Sequence, residues 1–62
     1  MANSMPQDPQ TTLLIVDDDL AVRESMAAWL EVSGYRVFQA ADGISAIEHC
    51  RLNPPDLMLC DL

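Results

Sequence analysis

Four consecutive aliphatic residues, Leu13-Leu14-Ile15-Val16, run straight into three aspartates, Asp17-Asp18-Asp19, and this junction constrains the chain more than any other feature. An aliphatic run with no polar alternation is the pattern of a strand covered on both faces, as in a parallel sheet packed between helices. A second run, Leu57-Met58-Leu59-Cys60, has the same buried character and delivers Asp61 at its end. Between the two, the period changes. Val22, Met26, Trp29 and Leu30 fall at i, i+4, i+7 and i+8, with Arg23, Glu24 and Glu31 on the other side, which predicts an amphipathic helix from Leu20 with Met26 and Trp29 in the core. Carboxylates ahead of it suit its positive N-terminal end, and Gly34 is placed to close it in a left-handed turn. Tyr35 to Ala40 reads as a strand centred on Val37 and Phe38. Asp42-Gly43 is a turn with an N-cap, leading into a shorter helix from Ile44 to about Leu52 whose inner face is Ile44, Ala46, Ile47 and Cys50. Asn53-Pro54-Pro55 breaks that helix.

The order strand, helix, strand, helix, strand, with short connections, is a βαβαβ unit, and right-handed crossovers make its strands parallel. Residues 1–10 are polar, contain Pro6 and Pro9 and show no periodicity, so they read as a flexible leader ahead of a unit at 11–62. With 62 residues there is room for one small domain at most, below the roughly 100 to 150 residues of a full one. Half the residues are apolar, which argues against disorder, and no apolar run approaches the about 20 residues of a membrane span. Ten acidic residues against three arginines and no lysine give a net charge of −7, which repels polyanions and excludes direct nucleic-acid binding. Cys50 and Cys60 lack metal-ligand spacing, and no secretory signal precedes them. They read as small buried apolar residues of a reduced, cytoplasmic protein.

In an open parallel α/β sheet, functional groups gather at the carboxyl ends of the strands, where the strand order reverses. If the first strand lies between the other two, Asp17 and Asp18 stand beside Asp61. Three carboxylates facing one small volume demand a cation or a raised pKa, and hard oxygen ligands beside open water positions suit Mg²⁺. A carboxylate beside a divalent ion is also a plausible phosphoryl acceptor. Against this stands the plainer reading of acids before a helix as caps and dipole partners, which fits Asp19 best. A cap needs one carboxylate, and three acids at two strand ends exceed that need.

The remaining candidates carry less chemistry. His49 sits on the polar side of its helix without a partner acid or thiol and reads as a surface residue. Asp56 reads as a turn residue at the opposite strand end. Arg23, Arg36 and Arg51 are too dispersed for a phosphate clamp.

LLIVDDD, an amphipathic helix ending in SGY, the strand and turn FQAADG with the helix IEHC, and NPPDLMLCDL occur in order at suitable spacing. Together they resemble the receiver domain of two-component response regulators, from about Leu13 to Leu62. The resemblance implies a flavodoxin-like (CheY-like) α/β fold, here its βαβαβ half with strand order 2-1-3. It implies that Asp17 and Asp18 form the acidic pair for Mg²⁺, with Asp61 completing the metal site and accepting phosphate from a histidine kinase or phosphotransfer protein. The chain is then a regulatory phospho-accepting domain of a phosphorelay rather than an enzyme, acting on an output domain or target outside this chain. The CDL ending and polar leader are also similar to receivers of the regulators that control stress sigma-factor turnover in pseudomonads. Receivers continue through two further strands and three helices carrying a switch Ser or Thr and a phosphate-binding Lys. Neither is matched here, so the chain is expected to be an N-terminal half, ending just after its acceptor and prone to self-association.

Two rival readings follow from the same acids. Asp17 and Asp19 resemble the nucleophile and acid/base pair of haloacid dehalogenase-type phosphatases, although that pattern prefers Thr or Val where Ala21 stands and expects a flap insertion before the helix. A metal-free interaction module would need all the acids to be solvated caps.

Overall fold

The computed structural model describes residues 10–61, so all of the expected leader except Gln10 lies outside the described residues. Strand β1 (Thr12–Asp17) is followed by helix α1 (Leu20–Val32), strand β2 (Arg36–Ala40), helix α2 (Gly43–Leu52) and strand β3 (Leu57–Asp61). The sheet order is β2-β1-β3 and both pairings are parallel. This is the βαβαβ half of a flavodoxin-like fold, with the aliphatic run at its centre. Tyr35 falls outside β2 because its N–H goes to Leu30 O at 3.0 Å, while Gly34 N–H reaches Glu31 O at 3.0 Å. Those bonds close α1, and the turn they form needs the left-handed φ of +103° at Gly34.

Both helices begin where the sequence places a cap. Asp19 accepts from Val22 N–H at 3.1 Å and Asp42 from Ser45 N–H at 2.7 Å. Side chains alternate across β1, so the run supplies two cores at once. Leu14 and Val16 pack with Ala40 and Ala46, flanked by Phe38 and Cys50, whereas Leu13 and Ile15 pack with Ala27, flanked by Met26, Leu30, Tyr35 and Val37. The two helices therefore cover opposite faces. Their innermost residues are alanines, which let each helix approach the sheet closely.

Several expected core positions are not buried. Trp29 is 78% and Ile44 74% exposed, and Val22, Ile47, Leu57, Met58, Leu59 and Cys60 are also exposed. For Trp29, Ile47 and the residues of β3 one arrangement explains this: α1 and α2 both pack on β1 and β2, and neither packs on β3. The outward-leaning apolar residues of α1 and both faces of β3 consequently line open grooves, with Met26, Trp29, Leu30 and Leu59 along one and Ala46, Ile47, Cys50, Met58 and Cys60 along the other. Among the described residues no helix is long and apolar enough to cross a membrane.

Candidate functional site

The parallel register pairs Val16 with Cys60 and Asp17 with Asp61. Hydrogen-bonded strands lie about 4.8 Å apart, so the last residues of β1 and β3 stand side by side at the carboxyl end of the sheet. The two apolar runs thus end in step, and each presents an aspartate. Asp17 is 5% exposed, whereas Asp18 and Asp61 are open to solvent.

The three consecutive aspartates have separate duties. Asp17 Oδ1 accepts the N–H of Asp19 at 2.9 Å, which braces the turn out of β1 and leaves Oδ2 uninvolved in that turn. Asp19 is spent as the cap of α1, with its backbone carbonyl also accepting Arg23 N–H at 3.0 Å. Asp18 occupies the apex between them. The helix starts at once, at Leu20, leaving no room for the flap that the phosphatase reading requires, and Asp19 is engaged where that reading needs a proton donor.

Among the described residues no three His, Cys, Asp or Glu side chains already converge as a metal cage. The donor set nevertheless fits Mg²⁺ chemically: it consists of carboxylate oxygens, two of the three groups are solvent-accessible, and this ion keeps several waters rather than requiring an all-protein shell. No thiol or imidazole stands among these three carboxylates. Cys60 precedes Asp61 but belongs to the α2 groove, and both cysteines are free thiols.

Two other groups differ from expectation. His49 is half-buried rather than fully exposed: its Nε2 is covered without a hydrogen-bond partner and its ring centroid lies 4.7 Å from that of Phe38. Packing of α2 onto β2 places Phe38 against the imidazole, and Arg36 Cζ lies 5.5 Å from the same Phe38 ring. Arg23, set aside as dispersed, reaches the site. Its Nη1 donates to Asp17 O at 2.8 Å and its Nε to Gln39 Oε1 at 3.1 Å. The available signal was its position in the first turn of α1, the helix end that a cation ordinarily avoids.

Asp56 behaves as the turn residue expected of it, at the far end of the sheet. Its carboxylate accepts Thr12 N–H at 2.8 Å and Thr12 Oγ1 at 3.1 Å, and its own N–H returns to Thr12 O at 3.0 Å. The backbone bond from Thr12, followed by the hydroxyl, holds this carboxyl below the ordinary value of 3.8. Asp42 is lowered likewise, chiefly by the N–H of Ser45.

Residues 13–62 match the family described as response regulator receiver domain. The chain is 44% identical over 50 residues to "Response regulator MprA" of Mycobacterium sp. (strain KMS) and of Mycobacterium ulcerans (strain Agy99). It is 42% identical over 50 residues to the protein of that name from Mycobacterium tuberculosis (strain ATCC 25177 / H37Ra). Each match covers 81% of this chain and 22% of the relative, so the chain spans about a fifth of the length of these curated relatives. They do not bear on the likeness to sigma-factor turnover regulators.

Proposed function

The chain belongs to the response regulator receiver domain family, a regulatory, phospho-accepting component of two-component signalling, and from that premise we propose that Asp61 is its phosphoryl acceptor. Asp17 and Asp18, with Asp61, hold Mg²⁺ in this reading. The observation that carries it is the register, which sets Asp61 directly beside Asp17 at the open end of the sheet.

An oxygen of the Asp61 carboxylate forms the bond to phosphorus as the phosphorus–nitrogen bond of a phosphohistidine donor breaks, and the acceptor becomes an acyl phosphate. Mg²⁺, when bound, neutralises charge on the transferring oxygens. The chain's own residues supply the rest. Exposure of Asp61 admits a large donor such as a histidine kinase or phosphotransfer protein, burial of Asp17 fixes the adjoining carboxylate, and Asp18, exposed next to it in sequence, is free to turn toward the ion. The chemistry is self-phosphorylation serving regulation rather than turnover of a substrate.

We further propose that residues 11–62 are the N-terminal half of a cytoplasmic receiver, the output domain or target lying outside this chain. The net charge of −7 disfavours direct contact with nucleic acid.

The test uses the full-length protein. Asp61→Asn is expected to abolish labelling by acetyl phosphate while leaving the fold intact, because the amide is nearly isosteric and a poor nucleophile. Asp18→Asn is expected to weaken Mg²⁺ binding and slow labelling. Undiminished labelling of the Asp61 variant would overturn the assignment.

A further inference from the structure

Arg23 occupies a position that the acceptor chemistry does not explain. A cation in the first turn of a helix faces the positive end of the helix dipole, and in α1 the acid that offsets it is the capping Asp19 just ahead of that turn. The guanidinium folds back across the helix start instead of pointing to solvent. One edge binds the last carbonyl of the acidic strand, Asp17 O, at 2.8 Å, and its Nε binds Gln39 Oε1 of β2 at 3.1 Å. Both bonds carry the charge of the guanidinium, which makes them stronger than neutral ones.

The carbonyl it holds is that of the peptide joining Asp17 to Asp18. Because a peptide unit is planar, a bond to its oxygen restrains the Asp18 N–H and the Asp18 Cα along with it. The pairing of Asp17 with Asp61 holds the same peptide from the β3 side, and the bond from Asp19 N–H to Asp17 Oδ1 ties down the Asp17 side chain. Arg23 holds the peptide from the opposite, β2 side, and Gln39 fixes Arg23 in turn.

We propose that Arg23 is a positioning residue for the acidic site: by clamping the Asp17–Asp18 peptide to β2 it sets where Asp18 meets the cation shared with Asp17 and Asp61. The inference rests on the Mg²⁺ site proposed above. It acts through backbone geometry, so its signature is metal affinity and local amide protection rather than the intrinsic reactivity of Asp61.

Arg23→Gln, Arg23→Lys and Gln39→Leu in the full-length protein test it, with three readouts: amide hydrogen exchange at Asp18 and Asp19 without metal, Mg²⁺ affinity from amide shifts, and labelling by acetyl phosphate across Mg²⁺ concentrations. Arg23→Gln is expected to speed exchange at these amides and weaken Mg²⁺ about tenfold, as loss of a supporting contact to a metal site typically does. Labelling should recover at saturating Mg²⁺. Arg23→Lys should restore affinity in part, since an ammonium reaches the carbonyl but not Gln39 as well, and Gln39→Leu should have the smaller effect. If Arg23→Gln lowers the melting temperature but leaves Mg²⁺ affinity and the Asp18 amide unchanged, the residue is merely structural and the proposal fails. Wild-type protein that binds no Mg²⁺ would instead overturn the metal site itself, and this inference with it.

Discussion

Replacing Asp61 by Asn is expected to change stability in opposite directions with and without Mg²⁺. Carboxylates that follow the spacing of their paired strands stand about 5 Å apart, and for Asp17 and Asp61 that is worth about 0.8 kcal/mol of repulsion at the permittivity of water and about 3 kcal/mol at an effective permittivity of 20. Asp17 is buried but Asp61 faces solvent, so the effective value lies near the lower limit, about 1 kcal/mol, and salt reduces it further. Removing one of the two charges therefore stabilises the metal-free protein, by about 3 to 6 °C in a domain of ordinary receiver size. Mg²⁺ reverses the order. At a hundredfold excess over its dissociation constant a ligand adds about 2.7 kcal/mol to the form that binds it, and an amide oxygen replacing the carboxylate forfeits most of that gain. Melting of both proteins in chelator and in saturating Mg²⁺ tests the reasoning. A lower melting temperature for Asp61→Asn in chelator would mean that the two carboxylates do not face each other. Equal Mg²⁺-induced gains would mean that Asp61 is not a ligand.

Three further outcomes follow from the fold. Gly34→Ala should destabilise by about 1 to 2 kcal/mol in urea titrations through backbone strain alone, because the added Cβ meets nothing within 4 Å while φ is +103°; a neutral result would show that the turn relaxes. The folded-state pKa of Asp56 lies below its unfolded value, so the stability it contributes is fully present above about pH 4 and is lost as pH falls through the lowered folded value. Asp56→Asn should melt with a shallower dependence on pH across that acid range, and an unchanged slope would refute the Thr12 clamp. The 62-residue chain alone should self-associate through β3 and its apolar flanks in sedimentation at rising concentration, whereas a monomeric, cooperative melt above about 45 °C would contradict this.

Where a residue's place depends on its neighbours in sequence, the reading from sequence and the structure agree. The aliphatic run, the cap residues Asp19 and Asp42, the stop at Gly34 and the break at Asn53-Pro54-Pro55 are local features, and each lies where the pattern puts it. The strand order comes from the family resemblance rather than from any local pattern, and the order it implies is the one that sets Asp61 beside Asp17. Burial is where the reading went astray. Periodicity tells which residues share a face but not whether anything covers that face, so Trp29 and the Leu57–Cys60 run carry a core pattern on surfaces that α1 and α2 do not reach. His49 shows the converse. A single histidine among polar neighbours looks solvated until the tilt of α2 brings Phe38 against it.

Arg23 was missed for a different reason: its partners are a backbone carbonyl and the side chain of a residue sixteen positions away, neither of which leaves a motif. The same limit applies to the three aspartates. They are alike in sequence, yet hydrogen bonding makes Asp17 a brace of the turn and Asp19 a cap and leaves Asp18 exposed, so their carboxylates differ in what a cation could recruit. A site assembled this way needs its geometry set by groups outside the ligand list, since carboxylates that repel one another do not converge unaided. The Asp19 cap fixes the start of α1, α1 places Arg23, and Arg23 holds the peptide that carries Asp18. Each step transmits position from the helix back to the strand end. The order of the acidic cluster is therefore inherited from the β1–α1 junction, and the cap that reads as the plainer alternative to a functional site is, under the proposal, one of the parts that builds it.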